Sequence, residues 1–357
     1  MRVVVCKTFF NGLSYYRAEE PARAVVEAGI GVEVVVVPGL ATTMSTGPDP
    51  VVLDVDDQGA DVVVMQLPKT VEMLQCLRIL QARGTAVVVE VDDLLHGASY
   101  GLVGHLMAQV GASQRVLECA READLVTVTT PVLLKEYARH GRGAVVPNAV
   151  PRRVAELTPA YERQPDRVVL GWTGNVLGHP YDLQEMGSGL QQALDATAGG
   201  SEFVVLGQRW DAAERLGLRA EPREVPWENA VDDYLALVGD TLDIGLAPLR
   251  VDRFNTAKSW LKVLEYAARG VFAVRSPITE YDRLGLGYRA RAARDWAKAL
   301  TRAVQDPGWR VEQARAAREV VLEQHLVEHR VPQWVGAWEQ AAAHRAEARG
   351  KAAVTIG

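Results

Sequence analysis

A lysine, a serine and a glutamate stand at helix spacing in the second half of the chain. Lys258 and Ser259 fall where a helix would begin, after the apolar run at 244–248. Backbone N–H groups at a helix start, together with a lysine, suit a phosphate group. Glu265 lies seven residues after Lys258, two turns along the same helix face, where its carboxylate could accept two ribose hydroxyls. The spacing therefore indicates a nucleotide site, with a surface ion pair as the alternative.

Two further loops of the same half carry residues suited to such a ligand. Gly174 and Asn175 follow the apolar run at 167–172, and N–H groups of a glycine loop can bind phosphate. Arg209 follows the next apolar run, where it is either a phosphate-binding cation or a solvated loop arginine. Trp227 follows a short strand-like run and either stacks on a base or packs in the core. These residues extend the predicted nucleotide site.

The first half of the chain offers polar residues just after two apolar runs. Gly12, Tyr16 and Arg17 follow the opening run, with Arg17 either facing a ligand or exposed in a first helical turn. Asp92 and Asp93 follow another run, and adjacent carboxylates there either hydrogen-bond a ligand or cap a helix. They lack the spacer of a metal-binding Asp-x-Asp motif. We therefore expect no metal ion and no other cofactor at these residues.

Other common site chemistries are missing from the sequence. There is neither a G-x-x-x-x-G-K-[ST] loop nor a G-x-G-x-x-G loop at the first run, which argues against P-loop and dinucleotide enzymes. The 3 cysteines are widely spaced and include no C-x-x-C pair, which excludes a zinc ribbon and a disulfide scaffold. No Ser-His-Asp set can be assigned.

Short valine-rich runs alternate with helical patterns along most of the 357 residues. Such alternation is typical of doubly wound parallel sheets, whose ligands bind at the carboxyl ends of the strands. The rhythm stops in a proline-rich polar stretch at 151–166 and then restarts. The fold class we predict is α/β, with two Rossmann-like domains facing a central cleft.

The predicted boundaries follow from these breaks. They are 1–150 for the first domain, 151–166 for a linker, 167–327 for the second domain, 328–345 for a last helix, and 346–357 for a flexible tail.

Composition and charge exclude several classes of protein. The 39 basic and 45 acidic residues give a net charge of −6, without the basic footprint of a general nucleic-acid binder. The opening apolar run is too short for a signal peptide, and no run reaches the length of a membrane span. We therefore expect a cytoplasmic protein.

The segment 258–274, KSWLKVLEYAARGVFAV, resembles the nucleotide-sugar signature of GT-B glycosyltransferases. The resemblance is to the retaining family 4 group, also called glycosyl transferases group 1. The preceding run at 243–249 and the following SPITEY at 276–281 fit the same pattern. The resemblance implies two Rossmann-like domains, with the helix at 328–345 crossing back to the first of them. It also implies a glycosyl donor carrying UDP or GDP, transfer to an acceptor hydroxyl with retention, and no required metal.

The resemblance also implies roles for the candidate residues. Glu265 would bind the donor ribose, and Lys258 the diphosphate. The donor-binding set is Gly174, Asn175, Trp227, Asn255, Thr256, Lys258, Ser259 and Glu265; the catalytic set is Lys258, Asp92 and Arg209; the acceptor-side set is Gly12, Tyr16, Arg17, Asp92 and Asp93.

One departure keeps other functions open. The family commonly has a sugar-binding glutamate eight residues before the ribose glutamate, and this chain has Ala257 there. A non-catalytic nucleotide-sugar binder or interaction protein and a GT-B epimerase are therefore the alternatives. The acceptor is a glycan, a lipid, a protein or, least favoured by the charge, modified DNA.

Overall fold

The computed structural model describes residues 1–9, 11–95, 109–179 and 181–356 of the chain. The chain divides into two compact units. In the described residues, the first unit comprises 1–95, 109–148 and 327–356, and the second comprises 149–179 and 181–326.

The first unit is built on a parallel sheet of six strands in the order β2-β1-β5-β6-β7-β8, with a separate antiparallel pair β3-β4. Its strands are β1 (Arg2–Cys6), β2 (Glu33–Val37), β3 (Thr42–Met44), β4 (Val52–Val55), β5 (Val62–Gln66), β6 (Ala86–Val91), β7 (Leu125–Val128) and β8 (Gly143–Val145). Val3 pairs with Val34 on one side and with Val62 on the other. The central strands are continuously apolar because both of their faces are buried.

Helices cover this sheet, and local sequence signals explain several of their ends. They are α1 (Asn11–Ser14), a π-helical turn (Tyr15–Glu19), α2 (Glu20–Glu27), α3 (Val71–Arg83), α4 (Ala112–Glu122), α5 (Pro131–Tyr137), a 3₁₀ turn (Val327–Arg330) and α15 (Val331–Ile356). The Thr70 side chain accepts from Met73 N at the start of α3, and Gly84 ends that helix in the left-handed conformation. The sequence pattern also predicts a helix from Val103, but its start lies outside the described residues. Phe10 and His105 lie outside them as well.

The last helix belongs to the first unit, where Trp334 and Trp338 are buried and Arg345 forms an ion pair with Asp124. Residues 346–356, predicted as a flexible tail, continue α15 as helix. The alanine-rich sequence of this segment accounts for the difference, since alanine has the highest helix propensity.

The second unit contains another parallel six-stranded sheet, in the order β11-β10-β9-β12-β13-β14. Its strands are β9 (Val168–Asn175), β10 (Ser201–Gln208), β11 (Arg223–Val225), β12 (Ile244–Ala247), β13 (Phe272–Arg275) and β14 (Tyr288–Arg289). The strand order reverses between β9 and β12, which pair directly. In doubly wound sheets such a reversal opens the ligand crevice at the carboxyl ends of the two strands.

The helices of this unit pack on both faces of the sheet around a core that includes Trp172 and Trp296. They are α6 (Arg152–Ala155), α7 (Gly189–Ala196), α8 (Ala212–Leu216), α9 (Val231–Thr241), α10 (Arg253–Ala257), α11 (Leu261–Ala268), α12 (Thr279–Leu284), α13 (Ala293–Gln305) and α14 (Pro307–Gln324), with 3₁₀ turns at Ala160–Glu162, Val176–Gly178 and Leu183–Met186. The predicted α/β class with two Rossmann-like sheets is confirmed.

The stretch 151–166, predicted as a linker, is ordered against the second unit. The buried Arg269 guanidinium donates to the carbonyl oxygens of Val154 and Thr158, at 3.1 Å each. Ala160 N in turn donates to Arg269 O at 2.8 Å. The segment contains α6 and the 3₁₀ turn at Ala160–Glu162, and these hydrogen bonds satisfy backbone groups near the ends of both.

Candidate functional site

Polar side chains meet at the carboxyl ends of β9 and β12 and along the first turns of α11. The carboxylate of Glu265 is nearly buried, with 7% of the residue exposed. The Tyr234 hydroxyl lies 3.3 Å from Glu265 Oε2 and 3.1 Å from Thr173 Oγ1. Burial, followed by the charge of Glu265, raises the pKa of Tyr234, so its hydroxyl stays protonated. Glu265 is therefore held in place by a neutral donor.

Lys262, one turn before Glu265, directs its ammonium group into the same site. Its Nζ donates to the carbonyl oxygen of Thr173 and lies 4.9 Å from the centre of the Trp172 ring. Burial lowers the pKa of Lys262 to about 8, against the opposing effect of Glu265, and the nearby Lys258 lowers it further. The sequence prediction missed Lys262, which lies in the first turn of α11. It also placed Lys258 on the same helix as Glu265, whereas α11 begins at Leu261 and Lys258 follows α10 in extended backbone, with a ψ of 146°.

Lys258 lies at the junction between α10 and α11. Its backbone N–H donates to Asn255 O at 3.1 Å, and its Nζ lies 4.8 Å from the centre of the Phe254 ring. Its charge also lowers the pKa of Lys262, which shows that the two ammonium groups are neighbours. The site thus concentrates positive charge where the sheet order reverses.

A buried aspartate ties together the loops around these lysines. Asp182 Oδ1 accepts hydrogen bonds from Arg250 N at 3.0 Å and from Asn255 Nδ2 at 2.8 Å, and Oδ2 lies 2.8 Å from His179 Nδ1. It joins the loop after β9, the loop after β12 and α10. The sequence pattern gave no indication of Asp182, because its partners are distant in the chain.

Asn255 and Thr256, predicted to bind donor, point into the protein. Asn255 is fully buried, with its amide nitrogen on Asp182. Thr256 Oγ1 donates to Asp252 O at 2.5 Å, inside α10. The structure gives both side chains a positioning role for the segment that carries Lys258, while the neighbouring Ser259 is partly exposed beside Lys258.

Gly174 and Asn175, predicted to lie in a glycine loop, are the last two residues of β9 and pair with Gly207 and Gln208 of β10. Gly174 has a φ of 141° and Gly207 a φ of 132°. A Cβ on Gly207 would lie 2.2 Å from Gly174 O, so only glycine fits there. Asn175 Oδ1 accepts from Leu177 N at 3.0 Å, and its amide nitrogen donates to Gln208 Oε1 at 2.6 Å. The Asn175 side chain therefore shapes the loop.

Arg209 and Trp227, both predicted as site residues, have different surroundings in the structure. The Arg209 guanidinium pairs with Glu221, and its backbone N–H donates to Glu224 Oε2 at 3.0 Å, so its charge is already compensated at the surface. Trp227 is 48% exposed and stacks on Tyr234, with ring centres 4.7 Å apart. Trp227 therefore adds an exposed aromatic face to the group formed by Tyr234 and Glu265.

In the first unit, Arg17 forms a buried network in place of the expected ligand contact. Its guanidinium donates from Nε to Glu90 Oε1 at 2.7 Å and from Nη1 to Val146 O at 2.6 Å and Asn148 Oδ1 at 3.1 Å. It also lies 4.6 Å from the centre of the Trp334 ring. The π-helical turn carries Arg17 inward, and the side chain is only 1% exposed, so Arg17 is a structural residue.

The other first-unit candidates lie near the carboxyl ends of its strands. Tyr16 is buried and packs edge-on against Tyr15, while Gly12 lies in α1 with open space at its Cβ position. The backbone oxygen of Asp93 accepts from the Tyr137 hydroxyl at 3.1 Å. Burial lowers the pKa of Lys69, and the opposing effect of Asp92 shows that these two charges are neighbours. Lys69 was not predicted.

The described residues contain neither a metal-binding cluster nor a membrane-spanning helix. No group of three or more histidine, cysteine, aspartate or glutamate side chains there has the arrangement of a metal site. No helix within the described part of the chain is both long and apolar enough to cross a membrane.

Comparison with known proteins places this site in a known fold. Residues 188–336 match a family model described as glycosyl transferase-like. A glycosyltransferase from Rickettsia africae ESF-5 is 11% identical, with a TM-score of 0.62 over 95% of this chain and 98% of that one. Anabaena HepE, solved in complex with UDP, is 14% identical, with a TM-score of 0.56 over 94% and 99% of the two chains. Curated protein sequences give no match.

A third solved structure is larger. TarM from S. aureus, in complex with fondaparinux, α-GlcNAc-glycerol and UDP, is 12% identical, with a TM-score of 0.56 over 78% of this chain. The chain spans 56% of the length of that protein. Residues 188–336 are thus similar to a glycosyl transferase-like domain, and the two parallel six-stranded sheets give the chain the GT-B fold.

Proposed function

We propose that the chain transfers a glycosyl group from a nucleoside diphosphate sugar to an acceptor hydroxyl. The observation that carries the proposal is the meeting of Lys258, Lys262 and Glu265 at the carboxyl ends of β9 and β12. A parallel sheet offers its ligand crevice at this point of reversal. Two ammonium groups suit a diphosphate, and the carboxylate one turn farther along α11 suits the hydroxyls of a ribose.

The proposed donor lies along α11. The diphosphate meets Lys258 and Lys262, and the ribose hydroxyls donate to Glu265, which Tyr234 orients. The base lies against the exposed face of Trp227, whose other face stacks on Tyr234. HepE and TarM were solved with UDP, which favours uracil as the base.

In the proposed reaction the bond between the anomeric carbon and the diphosphate oxygen breaks as the acceptor oxygen bonds to that carbon. Lys258 and Lys262 stabilise the charge that develops on the departing diphosphate, which is the largest electrostatic contribution such a site can make. The acceptor proton passes to the leaving phosphate oxygen, so no separate protein base is required. We propose retention at the anomeric carbon and activity without a metal ion.

The acceptor is proposed to lie at the first unit, near Asp92, Asp93 and Lys69. These residues follow β6 and β5, and Lys69 and Asp92 are electrostatic neighbours. Their hydrogen-bonding groups suit a hydroxyl-bearing acceptor. The proposed acceptor group is a hydroxyl of a glycan, a lipid or a protein.

A second candidate function is donor binding without transfer. The position of the family's sugar-binding glutamate is Ala257, which is fully buried. A binder of this kind would hold the nucleotide sugar with the same residues but release no nucleoside diphosphate in the presence of any acceptor.

The test is a thermal-shift screen with the glucose conjugates of UDP, GDP, ADP, CDP and dTDP. We expect one of them to raise the melting temperature, because a ligand that binds only the folded state stabilises it. Glu265→Gln and Lys262→Met should abolish the shift, whereas Glu214→Gln and Lys298→Met, at exposed positions of the same unit, should retain it. The absence of a shift with all five conjugates at millimolar concentration would refute the donor site.

Release of nucleoside diphosphate in the presence of a mixed acceptor panel then separates transfer from binding. Activity that persists in EDTA and gives the same anomer as the donor supports the full proposal. Binding without release supports the second candidate.

A further inference from the structure

The loop after β9 holds a histidine and an aspartate that the proposed donor contacts do not use. His179 Nδ1 lies 2.8 Å from Asp182 Oδ2, and the other oxygen of Asp182 is held by Arg250 N and Asn255 Nδ2. Asp182 is almost fully buried, with 4% exposed, whereas the His179 side chain is 29% exposed. The aspartate is thus fixed on three sides, and it fixes the imidazole in turn.

The hydrogen-bond partners determine where the imidazole carries its proton. Burial alone would raise the pKa of Asp182, but its hydrogen bond with His179, the bond from Arg250 N and the charge of Lys258 together lower it. An ionised carboxylate can only accept, so Nδ1 carries hydrogen in the neutral ring. Nε2 then holds the lone pair, and it has no hydrogen bond to the residues that the structure describes.

Positive charges surround this imidazole from two other elements. Burial, and then the ammonium groups of Lys258 and Lys262, lower the pKa of His179, while the hydrogen bond to Asp182 opposes them. The ring also lies edge-on to Trp172, with centres 5.8 Å apart, and the Lys262 ammonium lies over that indole. His179 therefore belongs to the same cluster as the two lysines, and its lowered pKa favours the neutral ring.

We propose that His179 is a proton-linked contact to the donor diphosphate. When the nucleotide sugar binds, Nε2 takes up a proton from solvent and donates it in a hydrogen bond to a phosphate oxygen. The proposal rests on the proposed donor site. The anion opposes the effects of burial and of the two ammonium groups, because it adds a negative charge that favours the protonated ring.

The proposal predicts a measurable proton balance. A nucleotide sugar carries its diphosphate as a diester, which exchanges no proton near neutral pH. The pKa of Lys262 is about 8, so at pH 6.5 its ammonium is already formed before the ligand binds. Proton uptake at pH 6.5 therefore reports on His179, whereas uptake at pH 8.5 also includes Lys262.

The experiment is isothermal titration calorimetry at pH 6.5, with the nucleoside diphosphate glucose that gives the largest thermal shift. Titrations in buffers of different ionisation enthalpy give the number of protons taken up per ligand. We expect uptake by the unmodified protein and its loss, by roughly half a proton or more, in His179→Gln, because the glutamine cannot titrate. His329→Gln, at an exposed position of the first unit, is the matched control and should keep the full uptake.

A second variant separates a folding defect from the proposed role. Asp182→Asn removes the acceptor that orients the ring, and it should reduce uptake even where its melting temperature stays near that of the unmodified protein. Equal uptake by the unmodified protein and His179→Gln overturns this inference and leaves the donor site standing. No binding of any nucleotide sugar overturns the proposed function instead.

Discussion

Some candidate side chains of the second unit could be proposed from the sequence, and others could be recognised only in the structure. Glu265 and Lys258 were proposed from the sequence because a spacing of seven places residues on one face of a helix. In the structure α11 begins at Leu261, so Lys262 and Glu265 share that helix and Lys258 lies before it. His179 and Asp182 required the structure, since the contacts of Asp182 reach Arg250 and Asn255, and such long-range partners leave no local pattern.

At this scale the first prediction concerns the pH dependence of donor affinity through Lys262. Its pKa of about 8 lies below the ordinary lysine value, so the free site loses this positive charge as the pH rises through 8. Binding of an anion needs the charged form. The dissociation constant of the nucleotide sugar should therefore increase from pH 7 to pH 9.

Lys262→Arg provides the comparison, because a guanidinium stays charged over this range. The variant should show a flatter dependence of affinity on pH, even if its affinity at pH 7 is lower. Titration calorimetry at four pH values measures both proteins, and parallel curves would contradict the assignment of Lys262 to the diphosphate.

The second residue-scale prediction tests the ribose contact of Glu265. A carboxylate that accepts from sugar hydroxyls should make the protein prefer a ribonucleotide over its 2′-deoxy analogue by about tenfold, since loss of a hydrogen bond to a charged group costs about 1.5–3 kcal/mol. Glu265→Gln should bind the ribonucleotide less tightly and discriminate less between the two.

The design is a double-mutant cycle in which one change is in the protein and the other in the ligand. A coupling near zero would place the carboxylate away from the ribose. Glu214→Gln, exposed on α8, should preserve the discrimination of the unmodified protein.

Among the elements, the strands were predicted more accurately than the connections. The predicted run at 244–248 became β12 and the run at 203–207 the core of β10, because buried parallel strands are continuous apolar runs. The π-helical turn and the β3-β4 pair have no such signature, and neither was predicted. The π-helical turn directs the Arg17 side chain into the first unit. Because this turn was not predicted, Arg17 was interpreted as a ligand contact or an exposed residue, whereas the structure buries it.

The element-scale prediction concerns the contact between the ends of β9 and β10. Gly207→Ala would place a Cβ 2.2 Å from Gly174 O at a φ of 132°, so the two strand ends must separate. We expect a loss of about 2 kcal/mol or more in unfolding free energy. We also expect a loss of nucleotide affinity, since Thr173, next to Gly174 in β9, contacts Lys262 and Tyr234 of the proposed donor site.

Gly199→Ala is the matched control for this change. Gly199 has a φ of 80° with nothing within 4 Å of its Cβ position, so the substitution adds strain without a collision. It should cost about 1 kcal/mol and leave nucleotide affinity unchanged. Equal losses in the two variants, measured by denaturant unfolding, would mean that strain alone decides the outcome at Gly207.

For the whole molecule, the two-sheet architecture was predictable because each repeat of apolar strand and helix repeats the same local signal. The family resemblance predicts a last helix that crosses back to the first domain, and in the structure α15 follows the second unit in sequence but groups with the first. The residues alone give only a weak signal for this, since Trp334 and Trp338 indicate burial but do not identify the neighbour. The contact of Trp334 with Arg17 supplies that information.

The final prediction follows from this contact. Arg17→Met leaves Glu90 charged and buried, which should destabilise the first unit by about 3–5 kcal/mol. Hydrogen exchange measured by mass spectrometry should show lower protection in β1, β6 and α15. Nucleotide sugar should still protect β9 and α11, because the proposed donor contacts all lie in the second unit.

The double variant Arg17→Met/Glu90→Leu separates the two effects in Arg17→Met. It removes the stranded carboxylate and replaces the ion pair with apolar side chains, so much of the lost protection should return. Recovery would show that the buried pair specifies the arrangement of the first unit more than it stabilises it. The alternative outcome is that the double variant has protection from hydrogen exchange as low as that of Arg17→Met. The hydrogen bonds of the guanidinium to Val146 O and Asn148 would then be the contacts that stabilise this end of the sheet.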